Sequence, residues 1–249
     1  MHDIRSLHVS LGGVSIDELS GVLDAFEEAQ VFTLPATSYL LDEPPAYSAP
    51  NLVALTLDAP DVSWAMAAAD TLHHRGAHAL LTLPSTDHAL LSYDVRALLG
   101  LGVALGSSGT SGAPLVGMPL GDLRSTLATS RDTMSRACGY SVCALRPTPT
   151  PLGRAIDPMV LEEAVRAGYT LVLRPSHDVL AWRIEPVRGI RVLAQRVWTR
   201  RDHPSSITTW FGDERLSRGR LGDALGQAMR HGRRTLSTLW RGSGSPRGE

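Results

Sequence analysis

Short apolar segments alternate with helical segments over most of this sequence, and no other feature constrains the fold as strongly. The apolar segments are rich in Leu, Val and Ala and nearly free of charge, which is typical of strands buried on both faces. Repeated strand–helix alternation predicts an α/β fold with a parallel sheet or a barrel. The predicted strands of this region are Leu52–Leu57, His78–Leu83, Gly102–Leu105, Ser141–Leu145 and Tyr169–Leu173.

Helices are predicted between these strands from the spacing of their apolar residues and from residues typical of helix ends. Asp157-Pro158 supplies an N-cap followed by proline at the first helical position, and Gly168 ends that helix. The other helices predicted here are Val62–His74, Ala89–Leu99 and Leu120–Ala137.

Further elements are predicted on both sides of this region. A short strand at Leu7–Leu11 is followed by a helix at Ser15–Gln30, which begins with the capping-box pair Ser15 and Glu18, and by a strand at Val31–Leu34. Towards the other end, the pattern predicts one or two strands in Val187–Trp198, a helix from about Arg220 to Trp240, and a disordered tail at Gly242–Glu249. No segment has the composition of a linker, so residues 1–241 are predicted to form a single domain.

The composition excludes several classes of function. The chain has no lysine, which excludes a Schiff-base lysine, a pyridoxal-phosphate lysine and a phosphate-binding P-loop. Its formal net charge of -1 gives no general attraction to nucleic acid or to anionic membranes. Only Cys138 and Cys143 are present, too few for a zinc knuckle or a disulfide scaffold. With no signal-peptide pattern and no apolar run of the ~20 residues that span a bilayer, a cytoplasmic protein is expected.

Asp58 is the first candidate site residue. It ends the strand Leu52–Leu57 and is the first ionisable residue after that apolar run. Catalytic groups of α/β proteins commonly lie at the carboxyl ends of parallel strands. Two roles are open to Asp58, that of a general base and that of a cap on the helix that follows Pro60.

The order of these segments resembles that of the polysaccharide deacetylase (NodB-type) family. The resemblance rests on Thr56-Leu57-Asp58-Ala59 at the end of a strand, on Arg146-Pro147, which resembles the arginine motif of the family, and on Ala167-Gly168-Tyr169 at a late helix-to-strand turn. It implies a polysaccharide-deacetylase-like fold, a distorted (β/α) barrel of about seven strands. It also implies the usual reaction of the family, in which a divalent metal ion assists the removal of an acetyl group from an N-acetyl sugar.

The sequence departs from the family at the residues that carry this reaction. Asp58 matches the catalytic base, but Ala59 replaces the metal-binding aspartate, and Ser108 and Gly112 stand where the two metal-binding histidines belong. The late histidine that acts as an acid belongs after the strand Ile190–Leu193, where Ala194 and Gln195 stand instead. Without a metal, water keeps a pKa of ~15.7 instead of about 7 and is a poor nucleophile. The sequence therefore predicts no metal and no other cofactor.

Other residues are predicted to line the same site. Arg146 is predicted to hold either Asp58 or a carboxylate or phosphate of the substrate, unless it is a surface arginine. His177 is a candidate acid–base group beside Asp178, and His88 follows another strand in the same way, although all three would also fit solvent-exposed loops. The Gly106–Gly112 loop is predicted to be flexible or to line a pocket, with free backbone N–H groups for an anion. Its candidate substrate-binding residues are Ser107, Ser108 and Thr110.

Three hypotheses of function follow. The first is a metal-independent enzyme that performs isomerisation, epimerisation, elimination or cyclisation on a small polar substrate, with Asp58, Arg146 and His177 as its catalytic residues. Such an enzyme would fit small-molecule biosynthesis. The second is an inactive deacetylase-like protein that binds a ligand or a partner. The third is a carbohydrate N-deacetylase with a relocated metal site. A small-molecule substrate is expected, nucleic acid and membrane partners are not, and the oligomeric state is left open.

Overall fold

The coordinates are those of a computed structural model, which describes residues 3–9, 15–36, 40, 51–86, 92–176 and 184–198. Three candidate site residues lie outside the described residues, namely His88, His177 and Asp178. The same is true of the predicted helix from Arg220 to Trp240 and of the predicted tail. The single domain over residues 1–241 therefore stays a prediction.

The described residues form nine strands and five helices. The strands are β1 Asp3–Val9, β2 Val31–Thr33, β3 Asn51–Asp58, β4 Leu80–Leu83, β5 Ala104–Ser107, β6 Ala144–Leu145, β7 Leu171–Ser176, β8 Ile184–Val187 and β9 Ile190–Trp198. The helices are α1 Ile16–Glu28, α2 Val62–His74, α3 Ser92–Gly100, α4 Leu120–Cys138 and α5 Pro158–Ala167. From β3 to β7 strands and helices alternate, as predicted.

The strands form one curled sheet. Along it the order β1-β3-β4-β5-β6-β7-β9 is parallel at every pair. β1 also pairs with β9 in parallel, which joins the two ends of this order. β2 lies beside the start of β3, and β8 forms an antiparallel hairpin with β9. The prediction of a distorted (β/α) barrel of about seven strands is confirmed.

The interior of the barrel is apolar at one end and polar at the other. Leu52 on β3, Leu80 on β4 and Leu193 on β9 are fully buried in one cluster. Because alternate residues of a strand face the same way, Thr56 and Asp58 continue the face of β3 that begins with Leu52. The change from apolar to polar side chains therefore occurs towards the carboxyl ends of the strands.

Helices α4 and α5 cover the outer face of the sheet. Leu127 of α4 and Val160 of α5 pack with Val172 of β7 in a second buried cluster. Arg124 and Glu163 join the two helices through an ion pair with a distance of 2.9 Å between Nε and Oε2. No helix in the described part of the chain is long and apolar enough to cross a membrane.

The predicted helix caps are present. Ser15 accepts a hydrogen bond from the backbone N–H of Glu18 at 3.2 Å, and Glu18 returns one to the backbone of Ser15. Asp157 caps α5 by accepting from the N–H of Val160 at 2.9 Å. Gly168 ends α5 with a φ of +89°, a left-handed conformation that glycine adopts without strain.

Several strand boundaries differ from the prediction, because pairing and not local composition sets them. β1 begins at Asp3 and not at Leu7, since it pairs with β3 from that residue onward. β5 continues to Ser107, where the ladder with β4 ends. Val187–Trp198 forms parts of two strands, and the chain turns between them at Arg188 and Gly189, which have positive φ angles of 50° and 82°.

Candidate functional site

Asp58 and Arg146 form an ion pair across the interior of the barrel, with 3.0 Å between Oδ2 and Nη1. Asp58 is the last residue of β3, and Arg146 follows the last residue of β6. Two strands, β4 and β5, lie between β3 and β6 in the sheet. The pair can therefore form only because the curled sheet brings the ends of distant strands together. Of the roles predicted for Arg146, the structure shows the contact with Asp58.

Thr82 binds the other oxygen of the same carboxylate. It is the partner of Asp58 in the β3–β4 ladder, and its hydroxyl donates to Asp58 Oδ1. The carbonyl oxygen of Leu57 lies 3.3 Å from the same hydroxyl. Because Arg146 and Thr82 contact different oxygens, they stabilise the carboxylate charge and hold its plane in one orientation.

The capping alternative for Asp58 is wrong. The residue that caps α2 is Asp61, whose Oδ1 accepts a hydrogen bond from the N–H of Trp64 at 2.8 Å. Asp58 lies three residues earlier, with 27% of its side chain exposed. Its carboxylate is thus both held by neighbours and accessible at the mouth of the barrel.

Arg146 is a buried cation. Only 4% of its side chain is exposed, which excludes the predicted alternative of a surface arginine. Burial lowers the pKa of Arg146, and the negative charge of Asp58 acts in the opposite direction. Arginine stays protonated in proteins even so. The pair therefore places one positive and one negative charge at the mouth and adds no net charge to it.

Gly106 provides a close approach between the strands that flank the pair. A Cβ atom at this position would lie 3.2 Å from Thr82 Cγ2 and 3.4 Å from the Cβ of Ala144. Gly106 therefore faces the interior, as do Thr82 on β4 and Ala144 on β6. Ser108, two residues later, is buried, and the strand period places it on the same side; the residue before it, Ser107, is paired with Leu145, which precedes Arg146. The predicted contact of Ser108 with a substrate fits this position and stays a prediction.

The Gly106–Gly112 loop, which was predicted to be flexible or to line a pocket, is hydrogen-bonded to the connection that follows β4. The N–H of Ser108 donates to the carbonyl of Leu83 at 3.0 Å, and the N–H of Ser85 donates to the carbonyl of Gly109 at 3.0 Å. Thr110 accepts from the N–H of Thr86 at 2.8 Å. These bonds extend the β4–β5 ladder beyond the ends of both strands.

The predicted role of the loop N–H groups in binding an anion is wrong for two of them. The N–H of Ser108 is bonded to Leu83, and the N–H of Gly109 donates to Ser107 Oγ at 3.0 Å. Both donors are therefore already used within the protein.

The prediction that Ser107 binds the substrate is wrong. It is fully buried and faces the opposite side of β5 from Gly106. On that side lies the hydroxyl of Tyr169, which is 2.9 Å from Ser130 Oγ. Burial raises the pKa of Tyr169, and hydrogen bonds to Ser107 and Ser130 act in the opposite direction. A substrate at the mouth cannot reach this buried hydroxyl, so Ser107 supports the packing of the sheet against α4.

The donor atoms in the described part of the site do not fit a divalent metal ion. Ala59 is 3% exposed and has no donor atom in its side chain, and its N–H donates to the carbonyl of Thr82 at 3.0 Å. Gly112 has no side chain, and serine hydroxyls are weak substitutes for imidazoles. Among the described residues no group of three or more His, Cys, Asp and Glu side chains could hold a metal.

Gln195 occupies the interior near the place predicted for a late histidine. It is 1% exposed, and its Nε2 donates to Thr56 Oγ1 at 2.8 Å. Thr56 lies two residues before Asp58 and therefore on the same face of β3. A neutral carboxamide does not transfer protons at ordinary pH. This position therefore anchors β9 to β3 and supplies no acid.

Two residues of the site were not predicted from the sequence, namely Thr82 and Thr56. Each is a polar residue inside an apolar strand, and each falls on the inward face when the strand is read with a period of two. The two-residue period of the strands was therefore the sequence signal from which both threonines could have been predicted to face the interior. His88, His177 and Asp178 lie outside the described residues, so their roles stay predictions.

Comparison with solved structures identifies the fold. The chain is similar to the deacetylase PplD of Streptococcus pyogenes, with a TM-score of 0.65 and 14% identity over 84% of this chain and 97% of that chain. For IcaB from Ammonifex degensii the TM-score is 0.65, and the identity is 14% over 85% of this chain and 97% of that chain. For a de-N-acetylase from Aggregatibacter actinomycetemcomitans the TM-score is 0.64, and the identity is 12% over 84% of this chain and 99% of that chain. No protein-family model matches the sequence, and no curated protein matches it.

The protein therefore has the fold of the polysaccharide deacetylases, and the resemblance read from its sequence is confirmed for the fold. Within that fold it is divergent. Asp58 is present at the barrel mouth, and the correspondence of Ala59, Ser108 and Gly112 with the metal ligands of the family stays a prediction from the sequence.

Proposed function

We propose that this protein is a metal-independent acid–base enzyme that acts on a small polar substrate at the mouth of its barrel. The observation that carries the proposal is the Asp58 carboxylate, which is partly exposed and held by Arg146 and Thr82. The neighbouring positions that would bind a metal lack suitable donors. A carboxylate fixed in this way is suited to accept a proton from a substrate.

The proposed chemistry assigns one role to each charged partner. Asp58 accepts a proton from a carbon or an oxygen of the substrate, and the positive charge of the buried Arg146 guanidinium, which contacts that carboxylate, stabilises from a distance the negative charge that develops on the substrate. Isomerisation, epimerisation, elimination and cyclisation all begin in this way. His177 stays the candidate acid that returns the proton.

The resemblance to polysaccharide deacetylases makes sugars the first class of substrate to examine. The solved neighbours include proteins described as a deacetylase and a de-N-acetylase, which supports N-acetylated sugars and their free amines as starting compounds. We propose small-molecule biosynthesis in the cytoplasm as the setting. Genes for other biosynthetic enzymes beside the gene for this protein would support that setting.

The test is proton exchange at carbon in heavy water. The wild type, Asp58→Asn and Asp61→Asn are incubated with a panel of sugars in D₂O, and ¹H NMR follows the loss of C–H signals. Asp61→Asn is the matched control, because asparagine replaces aspartate well at a helix N-cap. We expect exchange with the wild type and the control, and a loss of at least about 100-fold in Asp58→Asn. Full activity of Asp58→Asn would refute the proposal.

A second candidate function is ligand binding without turnover. It is favoured by Gln195, which is buried and bonded to Thr56 near the place where the family has an acid. Saturable binding of a sugar, without any Asp58-dependent exchange, would select this function. Stoichiometric zinc, nickel or cobalt in the purified protein would instead favour a hydrolase with a relocated metal site.

A further inference from the structure

We propose that Thr82 is a positioning residue, whose hydroxyl sets the orientation of the Asp58 carboxylate for proton transfer. This inference rests on the proposed function, in which Asp58 is the base. Thr82 is not one of the predicted catalytic residues, and it does not stand at a position predicted for a metal ligand.

The position of Thr82 in the sheet directs its hydroxyl to Asp58. The two residues are direct partners in the β3–β4 ladder, and Thr82 is 1% exposed. It is the single polar residue of β4, whose sequence is Leu-Leu-Thr-Leu. A hydroxyl has one proton to donate, and of the two acceptors near it the carbonyl oxygen of Leu57, at 3.3 Å, is the more distant, so the proton is directed to Asp58 Oδ1.

The hydroxyl and the methyl group of Thr82 face different strands. Oγ1 contacts Asp58 on β3, whereas Cγ2 lies against Gly106 on β5, where an added Cβ would be only 3.2 Å away. A β-branched side chain has few accessible χ1 rotamers, and exchanging the two groups would turn the hydroxyl away from Asp58. The absence of a side chain at Gly106 leaves room for the methyl group.

Two of the contacts of the carboxylate lie on different oxygens and orient its plane. Arg146 holds Oδ2 and Thr82 holds Oδ1. The χ2 torsion of aspartate is broad, so a carboxylate that loses the contact at Oδ1 can turn about it. The base would then present its lone pairs in the wrong direction.

The experiment compares Thr82→Val, which has the same shape without the hydroxyl, with Thr82→Ser, which keeps the hydroxyl without the methyl group. Thr33→Val is the matched control, because Thr33 is another buried threonine and lies on β2, away from the pair. Exchange kinetics in D₂O, measured as described above, give kcat and KM, and a crystal structure of Thr82→Val gives the orientation of Asp58.

We expect Thr82→Val to lower kcat about tenfold or more, with KM within about twofold, because geometry and not binding is lost. Thr82→Ser should recover most of kcat, and Thr33→Val should leave it unchanged. In the crystal structure of Thr82→Val, the Asp58 carboxylate should be turned relative to Arg146.

Each failure has a distinct signature. If Asp58→Asn abolishes exchange but Thr82→Val keeps the wild-type kcat, the inference is overturned and the proposed function stands. An equal loss in Thr82→Ser and Thr82→Val would also overturn it, because packing would then explain the effect. If Asp58→Asn is fully active, the proposed function fails. The crystal structure of Thr82→Val then tests the positioning role of Thr82. An Asp58 carboxylate in the same orientation as in the wild type would overturn that role.

Discussion

Asp58 and Arg146 meet at 3.0 Å although the strands that carry them are separated by two others, and the two side chains are unequally buried. Arg146 is 4% exposed and Asp58 is 27% exposed. A charge that loses its partner is costly when water cannot reach it and much less costly when water can. Removal of the Asp58 charge and removal of the Arg146 charge should therefore change the free energy of unfolding by different amounts.

We expect Asp58→Asn to lower the free energy of unfolding by about 3 kcal/mol or more, because it leaves a buried guanidinium without its countercharge. Arg146→Met should cost about 1–2 kcal/mol, since Asp58 is open to water and methionine fills much of the volume. Urea denaturation of both variants tests this order, and the double variant measures the coupling. Equal losses in the two single variants would contradict the prediction.

Removal of the negative charge should also create a site for small anions. In Asp58→Asn the charge of Arg146 is unpaired, so acetate should bind at the mouth and stabilise the folded state. We expect millimolar acetate to raise the Tm of this variant by about 2–4 °C. Wild type and the Asp58→Asn/Arg146→Met double variant are the controls and should show no such rise. A rise of the same size in the wild type would argue against a neutralised Arg146.

The hydrogen bond between Gln195 and Thr56 should contribute to stability through its burial. Gln195→Leu removes the donor and leaves Thr56 Oγ1 inside the barrel without it, which should cost about 1–3 kcal/mol. The double variant Gln195→Leu/Thr56→Val removes both polar groups and should be more stable than Gln195→Leu alone. Thermal and urea unfolding provide the comparison. If the losses of unfolding free energy in the two single variants add up to the loss in the double variant, the two side chains do not depend on each other.

Glu163 should make stability depend on acid pH. The hydrogen bond from Arg124 holds the pKa of Glu163 below its ordinary value of 4.5, against the opposing effect of burial, and the charges of Arg124 and Arg166 act in the same direction as the hydrogen bond. A group whose pKa is lower in the folded state stabilises that state above its unfolded pKa, and the stabilisation is lost as the pH falls through the folded pKa.

We therefore expect the wild type to be more stable than Glu163→Gln at neutral pH and this difference to shrink as the pH falls below 4.5. Glu162→Gln is the matched control, because Glu162 is the adjacent residue and is half-exposed. Urea unfolding at several pH values measures the difference. A difference that stays constant with pH would show that Glu163 acts through packing alone.

Much of the fold could be predicted from local patterns. Apolar segments and helix caps located most elements between β2 and α5, and Ser15, Asp157 and Gly168 mark helix ends where predicted. The prediction was weaker for strand ends, as at Asp3 and Ser107, because a strand extends as far as its neighbour continues the ladder. Local composition contains no information about that neighbour.

The sequence by itself determined the strand–helix alternation, the aspartate at the end of a buried strand, and the absence of histidine from residues 106–112. Only the tertiary structure decided that Arg146 and Thr82 share that carboxylate, that Gln195 bonds to Thr56, and that Ser107 faces away from the mouth. The physical reason is that a strand pattern specifies which side chains share a face. The register and curvature of the whole sheet specify which of those faces meet.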